Sequence, residues 1–186
     1  MNETLTNIMN RRSTRAFLAE QIKEAELQAI LQAGLYAPSA HNDQPWHFTV
    51  IQDQLLLAEL NAGAKEVGKN ANDPLLRKMC SNEQLHIFYH APTVLVVAGE
   101  VGALMPHTDC AAAVENMLIA AEALGVGSCW IGLAMFAFQG PQAADYCRQL
   151  QIPDGYQPYY AISLGYKKVV AVSAPPRREN TVNFLR

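Results

Sequence analysis

Charge is scarce in this 186-residue sequence. Charged residues make up 17% of it, against about 25% in an average globular chain. The balance is 14 Lys and Arg against 17 Asp and Glu, a formal net charge of −3. That excludes a broad basic surface of the kind that holds a nucleic-acid backbone. No apolar run reaches the roughly 20 residues a membrane-crossing helix needs. The opening MNETLTNIMNRR has no apolar stretch behind a basic start, so a secretory signal is not expected. The four cysteines, Cys80, Cys110, Cys129 and Cys147, are scattered. They form no CxxC pair and no Cys/His spacing suited to zinc, and read as reduced, mostly buried thiols of a cytoplasmic protein. There is no internal repeat, low-complexity tract or linker. The patterns GxxxxGK[ST] and GxSxG are missing, which leaves P-loop and nucleophile-elbow chemistry without support.

What is abundant is apolar side chain, at 50%. A chain of this length buries roughly 70% of its surface on folding, enough for one large core. A single domain over 1–186 is therefore expected. The low charge further implies apolar surface buried in an oligomer or around a ligand.

Periodicity places the elements. Residues 2–11 read as a short helix with Leu5, Ile8 and Met9 on one face. Residues 22–36 read as an amphipathic helix with Ile22, Leu27, Ile30, Leu31 and Leu35 in its stripe. Pro38 follows soon after, as expected past a helix end. Helical spacing returns over 54–67, and a loop with a short helix is expected over 68–81. His86 and His90, four apart, read as a plain helix face. Residues 107–124 read as a long, alanine-rich helix whose start Thr108 or Asp109 caps. A last helix is expected over 140–150. The strands are WHFTVI at 46–51, TVLVVA at 93–98, 128–133, and YYAISL at 159–164. The unbroken apolar run of TVLVVA suits a strand covered on both faces. The result is an α+β pattern without the regular βαβ rhythm of a doubly wound domain.

Three stretches carry chemistry. Five of the eight arginines sit in two clumps near the chain ends: Arg11, Arg12 and Arg15, then Arg177 and Arg178. Arg11-Arg12-Ser13-Thr14-Arg15 combines guanidinium forks, which match phosphate oxygens, with two hydroxyls. Taken alone it equally suits a solvated basic helix end. The stretch from Pro38 to Trp46 stiffens the backbone with Pro38 and Pro45 and offers Ser39, Asn42 and Gln44. Amides and hydroxyls both donate and accept, and so can read the polar edge of a heterocycle. Taken alone it is also an ordinary polar connection. Gly125-Val126-Gly127 invites a dinucleotide reading, which fails because the glycines follow a helix and precede a strand.

Together these stretches resemble the nitroreductase family of flavin enzymes. The likeness is carried by RRSTRAF at 11–17, PSAHNDQPWHF at 38–48, GVGSCWIG at 125–132, and LGY at 164–166 followed by Pro175-Pro176-Arg177-Arg178. It spans essentially the whole chain, with residues 52–90 carrying least of it. The resemblance implies a central, mostly antiparallel sheet flanked by helices, and an intertwined homodimer with FMN at the subunit interface. It implies that Arg11, Ser13 and Arg15 meet the FMN phosphate, ribityl hydroxyls and polar ring edge, with Arg12 contributing mainly through its backbone. Pro38, Ser39, Ala40 and Asn42, with Gln44 close by, would line the flavin from the partner subunit. Cys129, Trp130, Ile131 and Gly132 would lie against the ring and supply backbone N–H near its N5. Arg178, and less directly Arg177, would close on the phosphate.

The implied activity is ping-pong hydride transfer from NADH or NADPH through FMN to a nitroaromatic, quinone or similar electron-poor acceptor. The flavin carries the chemistry, so no side-chain acid, base or nucleophile is required. Alternatives are a flavin-storage module with little turnover, and a relative acting on reduced flavin or halogenated aromatics. Two departures from the family are visible. The chain is short, which implies a reduced helical lid, and Gly132–Phe136 lacks the acidic residue that some members place beside the flavin.

Overall fold

The computed structural model describes residues 2–169 and 173–186. Six α-helices are present among them: α1 (Glu3–Asn10), α2 (Glu24–Leu35), α3 (Gln54–Gly68), α4 (Pro74–Ser81), α5 (Pro106–Ala123) and α6 (Ala143–Gln149). The strands are β1 (Trp46–Ile51), β2 (Thr93–Glu100), β3 (Val126–Trp130) and β4 (Tyr156–Tyr166). Several starts follow from local chemistry. The Asn2 side chain accepts the Leu5 N–H at 2.9 Å and opens α1. Asp53 and Asp73 open α3 and α4 in the same way, each satisfying amide donors that a helix leaves free.

The strands form one sheet in the order β1-β2-β4-β3, every pair antiparallel. Side chains alternate between its faces. Leu95, Val97, Ile162 and Leu164 point to the layer of α2 and α5, against Leu27, Ile30, Val114, Met117 and Leu118. Val94, Val96 and Ala161 point the other way, against Leu57, Leu60 and Ala64 of α3 and Ala134 and Ala137 of a 3-10 helix, Gly132–Phe138. This two-sided cover is why TVLVVA reads as an unbroken apolar run. The four cysteines are free thiols, Cys80, Cys110 and Cys129 being buried.

Some elements differ from expectation. Leu35 leaves the stripe of α2 and is 52% exposed. The long helix begins at Pro106 with Met105 before it and no side-chain cap, so neither Thr108 nor Asp109 caps it. β3 starts at Val126 and stops at Trp130, because Ile131 leads into the 3-10 helix rather than continuing the strand. β4 begins before Tyr159. Pro158 cannot donate to a ladder, but the register shifts there by a bulge, pairing Val97 with Tyr160 and Ala98 with Pro158. His86 and His90 lie on a turn, not a helix.

The outer edge of β3 is covered by the arginine segment. Thr14 N–H donates to Ser128 O of β3 at 2.8 Å, and Leu18 N–H to Tyr166 O at the end of β4 at 2.9 Å. The approach is close enough to require Gly127, where a Cβ would stand 2.9 Å from Thr14. Gly125, at φ 74°, turns the chain out of α5. The two glycines thus have structural work unrelated to a dinucleotide.

Candidate active site

The first and third sequence motifs meet along this edge. As the chain leaves α1, Thr14 turns inward and is buried, while Ser13 and Arg15 remain exposed. The Arg12 guanidinium donates to the Met9 carbonyl at 2.8 Å and to that of Arg11, closing the end of α1. Among the described residues, Arg11 and Arg15 form no ion pair. Their charge reaches Cys129. Burial pushes that thiol above its usual range, while the Arg15 charge, the Ser13 hydroxyl and the Arg11 charge pull it back.

Arg15 borders two clefts. One, of about 390 Å³, is largely apolar: Cys129, Trp130, Ile131 and Gly132 form one wall, and Leu76, Met79, Ile87, Tyr89 and Phe136 face it. The other, of about 370 Å³, is lined mainly by polar and charged residues, among them Arg12, Ser13, Thr14, Lys167 and Glu122. Lys167 and Glu122 pair across it at 2.8 Å. Such a pair of chambers suits a ligand with a planar apolar body and an anionic tail. At Gly132 a Cβ would meet nothing within 4 Å, so the wall there is bare backbone opening on free space. Ile131 does not serve as a free donor on that wall, because its N–H is committed to Ala161 O at 2.8 Å.

The second motif lies elsewhere. Residues 38–45 lead into β1, and β1 and β3 are opposite edges of the sheet, roughly 14 Å apart at three strand spacings. Pro38, Ser39, Ala40, Asn42 and Gln44 line neither cleft of their own chain. Arg177 and Arg178 lie in the exposed tail and likewise line neither.

Sequence reasoning missed the facing wall. Leu76 and Met79 come from α4, an eight-residue helix, in the stretch where the family likeness is weakest. Tyr89 comes from the turn after it. Its ring lies 5.9 Å from the Arg15 guanidinium, within reach of a cation–π contact. Tyr89 and His90 both have left-handed backbones, at φ 55° and 53°. The turn is tied down by Lys65 donating to Asn82 O and Leu85 O, by Asn61 accepting Ile87 N–H, and by Ser163 donating to Phe88 O.

The rings of His86 and His90, at the two ends of this turn, lie 4.3 Å apart with their planes tilted by 33°. Burial, then the charges of His90 and Lys65, lowers the His86 pKa to about 4. An ordinary histidine titrates near 6.5. As pH falls from 6.5 toward 4, the unfolded chain binds a proton that folded His86 refuses, so stability drops through that window. His86→Phe is expected to shrink the fall in melting temperature between pH 7.5 and 4.5. Equal falls in variant and wild type would contradict this.

Comparison with known proteins agrees with the geometry. Residues 8–166 match the family model described as Nitroreductase family. A nitroreductase with bound FMN from Bacteroides fragilis has a TM-score of 0.91 and 35% identity, covering 100% of both chains. A nitroreductase with bound FMN from Desulfitobacterium hafniense has a TM-score of 0.90 and 28% identity, again over 100% of both. An FMN reductase (NADPH) of Bacillus subtilis is 26% identical over 202 aligned positions, spanning 98% of this chain and 76% of its own length.

Proposed function

The chain belongs to the nitroreductase family, and from that premise we propose that it is an FMN-dependent oxidoreductase. It takes electrons from NADH or NADPH and delivers them to a small electron-poor acceptor such as a quinone or nitroaromatic. The observation that carries this reading is the placing of Arg15. It is a guanidinium without an ion-pair partner among the described residues, standing where an apolar cleft meets a polar one.

The residues present fit FMN. Its phosphate needs cations and donors, which Ser13 and the Arg12 backbone offer in the cleft that Lys167 also lines, with Arg11 beside them in the chain. Its ring needs a flat apolar slot with one polar edge. Cys129, Trp130, Ile131 and Gly132 supply the slot, and Arg15 the edge. FMN, when bound, supplies the two-electron chemistry. The chain's part is to bind, orient and exclude water. The Arg15 charge favours negative charge arriving on a ring beside it. Leu76, Met79, Tyr89 and Phe136 keep the slot dry. No proton need be moved by a side chain.

The site is shared between two copies of the chain. Pro38, Ser39, Ala40, Asn42 and Gln44 stand at the opposite sheet edge and reach a flavin only from a partner. Arg177 and Arg178, beyond the end of β4, close on the phosphate. Leu5, Ile8 and Met9 of α1 are 49%, 46% and 53% exposed, an apolar face beside the half-exposed Ala112 and Ala120 of α5. Covering these faces is the role of the dimer. Ala120→Trp is expected to yield a monomer with weakened FMN binding, read by light scattering after gel filtration. An unchanged dimer would refute the assigned interface.

The test of function is a visible spectrum of purified protein under anaerobic titration with NADH, then NADPH, followed by turnover with menadione or nitrofurazone. The flavin bands should bleach with a nicotinamide and return with the acceptor. A colourless protein that binds no added FMN would sink the reading. A yellow protein that does not oxidise NADH or NADPH would make it a flavin store.

A further inference from the structure

Asp109 is a carboxylate at the fourth residue of α5 and is only 4% exposed. Burying such a group is unfavourable unless it is well partnered. It is only half partnered. Oδ1 accepts the Ala40 N–H at 3.1 Å, and buried Oδ2 has no hydrogen-bond partner among the described residues. A side chain kept at such expense has a task outside its own helix, which it does not cap.

The loop it holds is strained. His41, Asn42 and Gln44 have φ of 50°, 59° and 48°, a left-handed conformation unfavourable for non-glycine residues. Internal bonds shape the loop. Gln44 N–H donates to Ser39 Oγ at 3.0 Å, and the Gln44 side chain donates to Asn42 Oδ1 at 3.1 Å. Among the described residues, the bond from Ala40 to Asp109 is the one hydrogen bond that ties 38–44 to the rest of the fold. Loops in such a conformation persist when their surroundings over-determine them.

We propose that Asp109 is a positioning residue for the cofactor: by anchoring Ala40 it holds the strained 38–44 loop in the one shape that presents Ser39 and Asn42 to FMN across the dimer interface. This rests on the functional reading above. Asp109 touches no flavin itself. It acts through the loop, so its loss should weaken FMN binding while leaving the sheet and its two cores intact.

The experiment compares wild type with Asp109→Ala and Asp109→Asn, as apoprotein titrated with FMN by flavin fluorescence. The visible spectrum of the bound flavin and the melting temperature with and without FMN are read alongside. Asp109→Ala should raise the FMN Kd about tenfold or more, the scale of one hydrogen bond to a charged group. It should also shift the flavin band and reduce the melting-temperature gain from FMN. Asp109→Asn keeps an oxygen that accepts the Ala40 N–H and should restore affinity to within a few-fold. If Asp109→Ala does not fold, Ala40→Pro tests the same bond from its other end. Proline removes the donor, and Ser39, at φ −137° and ψ 154°, already has the extended backbone a following proline requires. Ala40→Pro should weaken FMN binding likewise. Wild-type affinity and spectrum in Asp109→Ala, or in Ala40→Pro where the first is unfolded, overturn the proposal alone. Failure of Asp109→Asn to rescue a folded but weakened Asp109→Ala also overturns it. Failure of the wild type to bind FMN overturns it together with the functional reading.

Discussion

Arg15→Ala should weaken FMN binding by one to two orders of magnitude and leave the fold standing. The side chain is exposed, so its removal opens no cavity. What is lost is a charge-assisted bond to an anionic or strongly polar group, worth about 1.5–3 kcal/mol, which is roughly tenfold to over a hundredfold in Kd. The contact of its guanidinium with the Tyr89 ring goes too, removing a support from the facing wall. Arg15→Lys should fall between, since it keeps the charge but not the planar fork. The electrostatic part is screened by salt, so the gap between wild type and Arg15→Ala should narrow as ionic strength rises. Titration of apoprotein with FMN at two salt concentrations checks both points. Wild-type affinity and wild-type reduction by NADH in Arg15→Ala would remove Arg15 from the site.

The largest effect on stability is expected at Ile162. It is 0% exposed in β4, opposite Leu95 on one side and Trp130 on the other. Its side chain points into the layer shared with α2 and α5. Ile162→Ala removes buried methylenes and leaves a cavity that a sheet clamped on both sides cannot collapse to fill. Such changes are unfavourable by about 2–5 kcal/mol, against about 0.5–1.5 kcal/mol for Ile→Val. For a chain of this size the larger loss lowers the melting temperature by roughly 10 °C. Urea unfolding should show a lower midpoint with the slope unchanged. Protein concentration must be held fixed, because the stability of any assembly of copies depends on it. A midpoint shift no larger than that of Ile162→Val would mean that the core relaxes around the gap.

Both predictions draw on signals of different legibility. The chemistry of RRSTR could be read because guanidinium forks and hydroxyls crowd five residues. That these residues lie against Cys129 could not be read. It depends on Thr14 pairing with Ser128 across 114 positions of chain, with Gly127 making room. The Ala40 loop was legible as a polar, proline-stiffened connection. Its left-handed residues were not, since histidine and asparagine only lean toward positive φ and glutamine does not, whereas glycine marks such positions far more strongly. Thr108 and Asp109 both suit the start of a helix, where such side chains are favoured caps, yet neither caps α5. The real partner of Asp109 lies 69 residues away.

Local spacing in the amino-acid sequence is enough to set the layers of this protein. Apolar spacing of 3.6 and unbroken β-branched runs are local, and burial must follow them whatever the chain's path. Residue type likewise sets the kind of chemistry, because arginine, serine and amide side chains keep their donor geometry wherever they are placed. Where that chemistry converges depends on contacts between distant segments. The strand order β1-β2-β4-β3 sets the arginine segment and the Pro38–Trp46 stretch against opposite edges of one sheet. The turn at His86–His90 adds Tyr89, and the bulge at Pro158 carries β4 past a residue that should have ended it. In each case contacts far apart in sequence supply the energy that overrides a local preference, and such energy has no signature in the segment it reshapes.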